Sequence, residues 1–179
     1  MQKRIKSCYL ILLAFAIAVS SVAFSYQAYA EEEQMRLGRI SQNCSSIKLQ
    51  LSSVQKSDSK ERVRLGVYYE FFSSKMIMNL NLRLVRNNIA ATELTEQQSK
   101  FSEQRELFKN DFVSYSQSLE KLVAKDCKND PEGFDKLLNK TRQKRKKLAT
   151  RVDAINEILK QHEESLDKII TKLEEAKNE

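Results

Sequence analysis

The sequence is poor in the residues that turn a polypeptide chain. Its 179 residues include three glycines, one proline and no tryptophan. β-Sandwiches and doubly wound sheets need turns at short intervals, and those turns consume Gly, Pro and Asn-Gly pairs. Long helices with few connections remain, so we predict an all-α fold.

The sequence also lacks the parts of most catalytic and metal sites. It has a single histidine, His162, and three cysteines, of which Cys8 lies near the N-terminus. One His and two further Cys supply no zinc set, no His-dependent triad and no HExxH pair. No glycine-rich loop is present to hold a nucleotide. We therefore expect a protein that is not an enzyme and that uses no metal or cofactor.

The first 30 residues have the pattern of a secretory signal peptide. Three basic residues precede an apolar run from Tyr9 to Val19, and Ala28-Tyr29-Ala30 supplies a small-x-small cleavage site. Alternatively, the uncharged segment 7–30 stays attached as an anchor, since its length approaches the ~20 residues of a spanning helix. In both cases we expect residues 31–179 to be exported, either secreted, periplasmic or held at the outer face of the cytoplasmic membrane.

Export changes how the charge and the cysteines are interpreted. The formal net charge is +7, but the first 30 residues hold three basic and no acidic residues, so 28 Lys and Arg face 24 Asp and Glu in the remainder. The basic excess is therefore modest. Cys44 and Cys127 are the two cysteines left, in a compartment where a disulfide can persist.

From residue 37 onward, apolar residues recur at spacings of three and four, the pattern of a coiled-coil seam. The last run keeps this rhythm from Phe134 to Ala176 and carries Arg145 and His162 at seam positions, where polar residues set register or partner choice. Earlier runs contain Leu37, Ile40, Cys44, Ile47, Leu51 and Val54, and then Phe101, Phe108, Phe112, Tyr115, Leu119 and Leu122. The pattern predicts an elongated antiparallel helical bundle or coiled coil of three to four long helices, with residues 31–179 as one domain.

Three places resemble helix boundaries. Asp58 and Glu61 have the spacing of a capping box, although one continuous helix through Asp58 is the alternative. Thr95 and Gln98 have the same spacing, which predicts a turn near residues 91–94. Asp130-Pro131-Glu132 is a strong start signal, with an Asp N-cap and Pro at the first helical position.

These boundaries bear on the cysteine pair. With a turn near 91–94, Cys127 lies level with Asp58, and Cys44 is roughly 20 Å away along a continuous helix. A disulfide allows about 6 Å between α-carbons. An intramolecular bond then requires a bend between residues 52 and 60 or a flexible 125–130 loop. Intramolecular pairing, intermolecular pairing and free thiols all stay open.

Between residues 63 and 89 the apolar residues spread beyond one helix face. This segment predicts the most buried helix of the fold, and its alternative role is a partner-binding or self-association face. The candidate partner face consists of Tyr68, Tyr69, Phe71, Phe72, Met76 and Met78.

Six of the eight residues from 140 to 147 are basic: Lys140, Arg142, Lys144, Arg145, Lys146 and Lys147. Helical geometry distributes them around the axis, whereas a nucleic-acid face is one-sided and interleaved with exposed aromatics. We therefore do not expect a nucleic-acid partner. An anionic membrane or wall polymer is a candidate ligand, and a solvated girdle that pairs with acidic neighbours is the alternative.

The stretches DSKERVRLGVYYE, NLNLRLVRNN and CKNDPEGF resemble those of short, exported, uncharacterised helical proteins of reduced-genome candidate-phylum bacteria, over roughly residues 44–160. The resemblance implies export and a paired-cysteine helical layout, and no activity. The plan is also similar to that of periplasmic chaperones of the Skp type. That resemblance would imply a trimer built on a small β-body, but no segment of this sequence has the pattern of a β-strand.

These patterns predict an exported, non-enzymatic scaffold or interaction protein of the cell envelope. It would act through coiled-coil packing with a protein partner or with itself. The alternative is a holdase-like or polyanion- and headgroup-binding protein that uses the basic cluster 140–147.

Overall fold

A computed structural model describes residues 31–178, and these residues are helical apart from short connections. Helix α1 covers residues 31–42. The remaining elements are α2 (Cys44–Phe71), a π-helical turn (Phe72–Ile77), α3 (Met78–Arg86), α4 (Thr92–Ala124) and α5 (Pro131–Asn178). No strand occurs among the described residues, so the predicted all-helical class is confirmed. The predicted signal peptide or anchor, residues 1–30, lies outside them.

The helix through Asp58 is continuous, as the alternative interpretation expected, so the predicted capping box at this residue is wrong. Asp58 lies in the middle of α2, and the regular helix is interrupted instead at Asn43, between α1 and α2. The Asn43 side chain donates to the carbonyl of Arg39 at 2.9 Å, a local bond that competes with regular helix. Glu61, the other half of the predicted box, pairs with Arg64 one turn later.

The α3–α4 connection turns earlier than the sequence suggests. Asn88 has a positive φ of 57°, and Ile89 N–H donates to the carbonyl of Leu84 at 2.9 Å, the bonding of a helix end closed by a left-handed residue. Helix α4 then starts at Thr92. Thr95 is inside it, and its hydroxyl donates to the Ala91 carbonyl at 3.3 Å, so the predicted Thr95 capping box is not formed.

The described chain divides into two compact units, and the smaller one comprises residues 31–45 and 126–135. A disulfide joins Cys44 to Cys127, with 5.5 Å between their α-carbons. Ser41 donates to the backbone carbonyl of Lys128 at 2.9 Å. Arg36 forms an ion pair of 3.1 Å with Asp135. These bonds connect α1 and the first residue of α2 to the loop that follows α4 and to the start of α5.

The start of α5 behaves as the sequence predicts. The Asp130 carboxylate accepts the backbone N–H of Gly133 at 2.9 Å, as an N-cap does, and Pro131 occupies the first helical position. A side chain at Gly133 would collide with the capping carboxylate, which explains glycine inside a first turn.

The larger unit comprises residues 46–125 and 136–178. Its core is an aromatic cluster in which the Tyr69 ring meets Phe101 and Phe108 edge to face, with ring centroids 6.0 and 5.6 Å apart. Ile77, Ile155 and Ile158 complete the buried cluster. Contacts between α4 and both of its neighbours run with opposite residue order, so α4 is antiparallel to α2 and to α5.

The π-helical turn keeps the core residues of α2 and α3 on one side. Tyr69 and Ile77 are eight residues apart, whereas two α-helical turns take about seven. The wider turn at Phe72–Ile77 absorbs the additional residue, and both side chains are at most 1% exposed.

The disulfide yields the first prediction. It spans a sequence separation of 83 residues, and closing so long a loop restricts the unfolded chain. Replacing both residues (Cys44→Ala, Cys127→Ala) should lower the free energy of unfolding by about 4 kcal/mol. Urea unfolding with and without a reductant measures this difference.

Addition of the reductant to the double variant is the control and should change nothing. Peptide mapping without reduction, on protein isolated from cells, should yield a linked Cys44–Cys127 peptide from a monomer. A Cys44–Cys44 or Cys127–Cys127 peptide would contradict the bond within one chain.

Candidate functional site

Three members of the basic cluster form bonds within the larger unit. Lys147 pairs with Asp111 at 2.6 Å, and Lys144 donates to the Ser114 carbonyl at 3.1 Å. Arg145 pairs with Asp58. The other three members, Lys140, Arg142 and Lys146, are exposed and make no ion pair with any described residue. Of the six basic residues, Arg145 and Lys147 thus have the acidic neighbours that a solvated girdle would use.

Arg145 of α5 and Asp58 of α2 form a bidentate ion pair. Arg145 Nε donates to Asp58 Oδ2 and Nη2 to Oδ1, each at 2.9 Å. The Tyr115 hydroxyl of α4 donates to Asp58 Oδ2 at 2.6 Å, so one carboxylate connects three helices. Burial and the bond to Asp58 raise the pKa of Tyr115, which keeps the phenol protonated as a donor.

A second carboxylate, Asp111 of α4, receives two cations from α5. Arg151 Nε donates to Oδ2 at 3.0 Å, beside Lys147 on Oδ1. Burial alone raises the pKa of Asp111, but the bonds from Lys147 and Arg151 outweigh it and lower the pKa. Both oxygens of the Asp111 carboxylate therefore accept bonds from α5 side chains.

Two grooves run between α2–α3 and α5. The first, which we call the basic groove, has a volume of about 470 Å³. Its rim is charged and its floor is apolar, and the Arg62 guanidinium lies 5.3 Å from the centroid of the Phe112 ring. Its lining comprises Asp58, Glu61, Arg62, Leu65, Phe108, Phe112, Arg142, Arg145, Lys146, Leu148, Ala149 and Val152.

The second, which we call the apolar groove, has a volume of about 680 Å³ and borders the π-helical turn. Aromatic, Met and Leu side chains predominate in its lining: Tyr68, Phe72, Met76, Leu80, Asn156, Leu159, Lys160, His162, Glu163 and Leu166. π-Helical turns frequently occur at functional sites because they break the regular backbone bonding.

His162 lies at the base of the apolar groove and is 5% exposed. Its ring meets Phe72 edge to face at 6.0 Å, and its Nδ1 has no hydrogen-bond partner among the described residues. Burial lowers the pKa of the imidazole. His162 is therefore a buried imidazole whose neutral form is favoured, packed against an aromatic ring.

The structure divides the predicted partner face. Tyr69 is 1% exposed and belongs to the core, and Phe72 is half-buried. Tyr68, Phe71, Met76 and Met78 are exposed. Tyr69 is thus corrected from surface to core, because the π-helical turn aligns it with Ile77.

A larger exposed face extends along the same helices. Its members are 43 to 67% exposed and are spaced by three or four residues within α2 and within α3. We call it the outer apolar face, and it consists of Val63, Val67, Phe71, Met78, Leu82 and Val85. The sequence feature that indicates the outer apolar face is the spread of apolar residues beyond one helix face between residues 63 and 89.

The described residues offer no other obvious chemistry. Among residues 31–178, no group of three or more acidic, His or Cys side chains is arranged to hold a metal ion, and no helix has the length and apolar character to cross a bilayer. Comparisons with protein-family models, with curated proteins and with solved structures find no match to this chain.

The Asp58–Arg145 pair generates the second prediction. Asp58 is 19% exposed and Arg145 56%, so the pair is only partly shielded from water. A double-mutant cycle with Asp58→Asn and Arg145→Gln should give a coupling energy of about 1 kcal/mol, measured by urea unfolding.

The matched control is the Glu61–Arg64 pair, which lies within one helix and is exposed. Its cycle should show no measurable coupling. Equal coupling in both cycles would mean that the Asp58–Arg145 pair does not link α2 to α5.

His162 generates the third prediction. Because its folded-state pKa is lowered, the unfolded chain takes up a proton more readily below the ordinary value of about 6.5. The free energy of unfolding should therefore be highest above about pH 7. It should decrease as the pH is lowered from 7 to 5, by up to about 1.4 kcal/mol per pH unit. Thermal unfolding across this range measures the fall.

The His162→Leu variant replaces the buried imidazole by an apolar side chain that cannot titrate. Its thermal midpoint should depend less on pH over the same range. Parallel curves for the wild type and the variant would assign the pH dependence to other groups.

Proposed function

We propose that this protein is an exported, non-enzymatic interaction protein that binds a helical segment of a protein partner on its outer apolar face. The single observation that carries the proposal is that α2 and α3 are apolar on both sides. One side forms the core, while Val63, Val67, Phe71, Met78, Leu82 and Val85 stay exposed on the other.

A helix that is apolar all round is normally covered all round. In the larger unit, α4 and α5 cover only the side that carries Tyr69, Ile77 and Leu84. Exposed apolar residues scattered singly need no explanation, but six at helical spacing on one helix pair do. An amphipathic partner helix would place its own i, i+3, i+4 and i+7 residues against this face.

The proposal includes the finer interpretation of the fold as an antiparallel helical bundle with coiled-coil seams. Its support is that the residues of the α4 seam, from Phe101 to Leu122, are buried. The polar residues at seam positions of α2 and α5, Asp58 and Arg145, pair with each other. Polar seam pairs are a common device for fixing register.

Export is supported by the bond between Cys44 and Cys127, since structural disulfides persist mainly in oxidising compartments. The peptide mapping on protein isolated from cells tests this part of the proposal. A binding role is supported by the carboxylates of the basic groove. Asp58 and Glu61 are each held by an arginine, which leaves neither poised as a general base.

The fourth prediction tests the outer apolar face. The variant Val67→Glu/Leu82→Glu places two charges on it, and both positions are exposed, so the fold should be retained, as circular dichroism can check. Immobilised wild-type protein is incubated with envelope extract. It should retain its partner at both about 0.1 M and about 1 M salt, because salt does not screen apolar contacts. The variant should lose it at both.

Val113→Glu is the matched control, because Val113 is an exposed valine on α4, away from the outer apolar face. Equal loss in the control, or release of the wild-type partner at high salt, would overturn the proposal. Sedimentation of the purified protein identifies a second copy as the occupant if the wild type is a dimer and the double variant a monomer.

A further inference from the structure

We infer that the basic groove is a binding site for a single-chain amphiphile with an anionic head group, such as an alkyl phosphate or a fatty acid. This site is separate from the outer apolar face and does not depend on it. The inference rests on uncompensated positive charge at the rim and an apolar floor beneath it.

The rim has more cations than its own acids can satisfy. Both of its carboxylates are already engaged: Asp58 accepts two bonds from Arg145 and one from Tyr115, and Glu61 pairs with Arg64. Arg62, Arg142 and Lys146 are exposed and form no ion pair with any described residue.

These three cations come from different positions on two helices. Arg62 belongs to α2, and Arg142 and Lys146 are four residues apart on α5, where such residues are neighbours on the helix surface. All three line the same groove. An anion placed there gains charge-assisted bonds without displacing an existing pair.

The floor supplies the second half of the recognition. Phe108, Phe112, Leu148 and Val152 line it, and its volume of about 470 Å³ lies within the ~300 to 1,000 Å³ of typical ligand sites. The Arg62 guanidinium lies over the Phe112 ring, so the charged rim and the apolar floor meet at this contact.

The same floor argues against other anionic ligands. Phe108 and Phe112 are buried, so they cannot stack with nucleic-acid bases, which need exposed aromatic rings. An acidic peptide would place backbone N–H and C=O groups against apolar side chains, and desolvating them without partners is costly. A hydrocarbon tail has no such groups.

The fifth prediction uses dodecyl phosphate, below its micelle-forming concentration, as the probe in calorimetric titrations of the full exported chain. Arg142→Gln and Lys146→Gln should each weaken binding about tenfold, the effect of losing one charge-assisted bond. Lys140→Gln is the matched control: Lys140 is an exposed, unpaired cation of the same cluster that does not line the groove, so its loss should leave affinity unchanged.

Further arms separate head from tail. Ala149→Phe fills the groove while leaving every cation in place, and it should abolish binding. Inorganic phosphate and the uncharged dodecyl maltoside should each bind at least tenfold more weakly than dodecyl phosphate. Because these side chains are exposed, circular dichroism should confirm that the variants fold.

Each other result would overturn the inference. An equal loss with Lys140→Gln would mean general attraction by the cluster, and equal binding of inorganic phosphate would mean an anion site without a tail. Unchanged binding in Ala149→Phe would place the ligand elsewhere. Binding of an acidic amphipathic peptide, but not of dodecyl phosphate, would assign the groove to protein partners.

Discussion

The arrangement of the larger unit depends on keeping Tyr69, Ile77 and Leu84 on the same side of one continuous helix. Their spacing does not fit an unbroken α-helix, and the π-helical turn at Phe72–Ile77 restores it. Because the turn brings Ile77 into the core beside Tyr69, the residues of the outer apolar face point outward. The exposed outer apolar face and the buried aromatic cluster are therefore two results of the same constraint.

Apolar contacts alone discriminate poorly between registers of packed helices, since a shifted helix can again place one apolar side chain opposite another. Polar contacts distinguish among them. Asp58 joins Arg145 and Tyr115, Ser118 meets Thr141 at 2.8 Å, and the Gln97 amide donates to Ser165 at 2.9 Å. Such pairs contribute little net stability, because desolvation offsets much of their attraction, but a shifted register would leave them buried without partners.

The same polar contacts decide how charge is distributed at the surface. Asp58 and Asp111 engage Arg145, Lys147 and Arg151, which turns part of the basic cluster toward the helix interfaces. Arg62, Arg142 and Lys146, which form no ion pair with any described residue, stay on the rim of the basic groove. A modest overall charge thus becomes a local excess, and local charge above an apolar floor is what an amphipathic anion recognises.

The scarcity of Gly and Pro, together with the three-and-four spacing, determined the helical class, the seam of α4 and the start of α5 at Pro131, because these follow from local backbone and periodicity rules. Those rules act within a few residues. They do not specify which helices meet or at what level, so Asp58 was expected opposite Cys127, whereas it bonds to Tyr115.

Only the tertiary structure decided the disulfide, the burial of Tyr69 and the convergence of Arg62 with Arg142 and Lys146. Each depends on contacts between residues distant in sequence, whose energies appear only once helices pack. The sequence by itself determined that this chain builds long helices with apolar seams. Packing determined which apolar and charged side chains stay exposed.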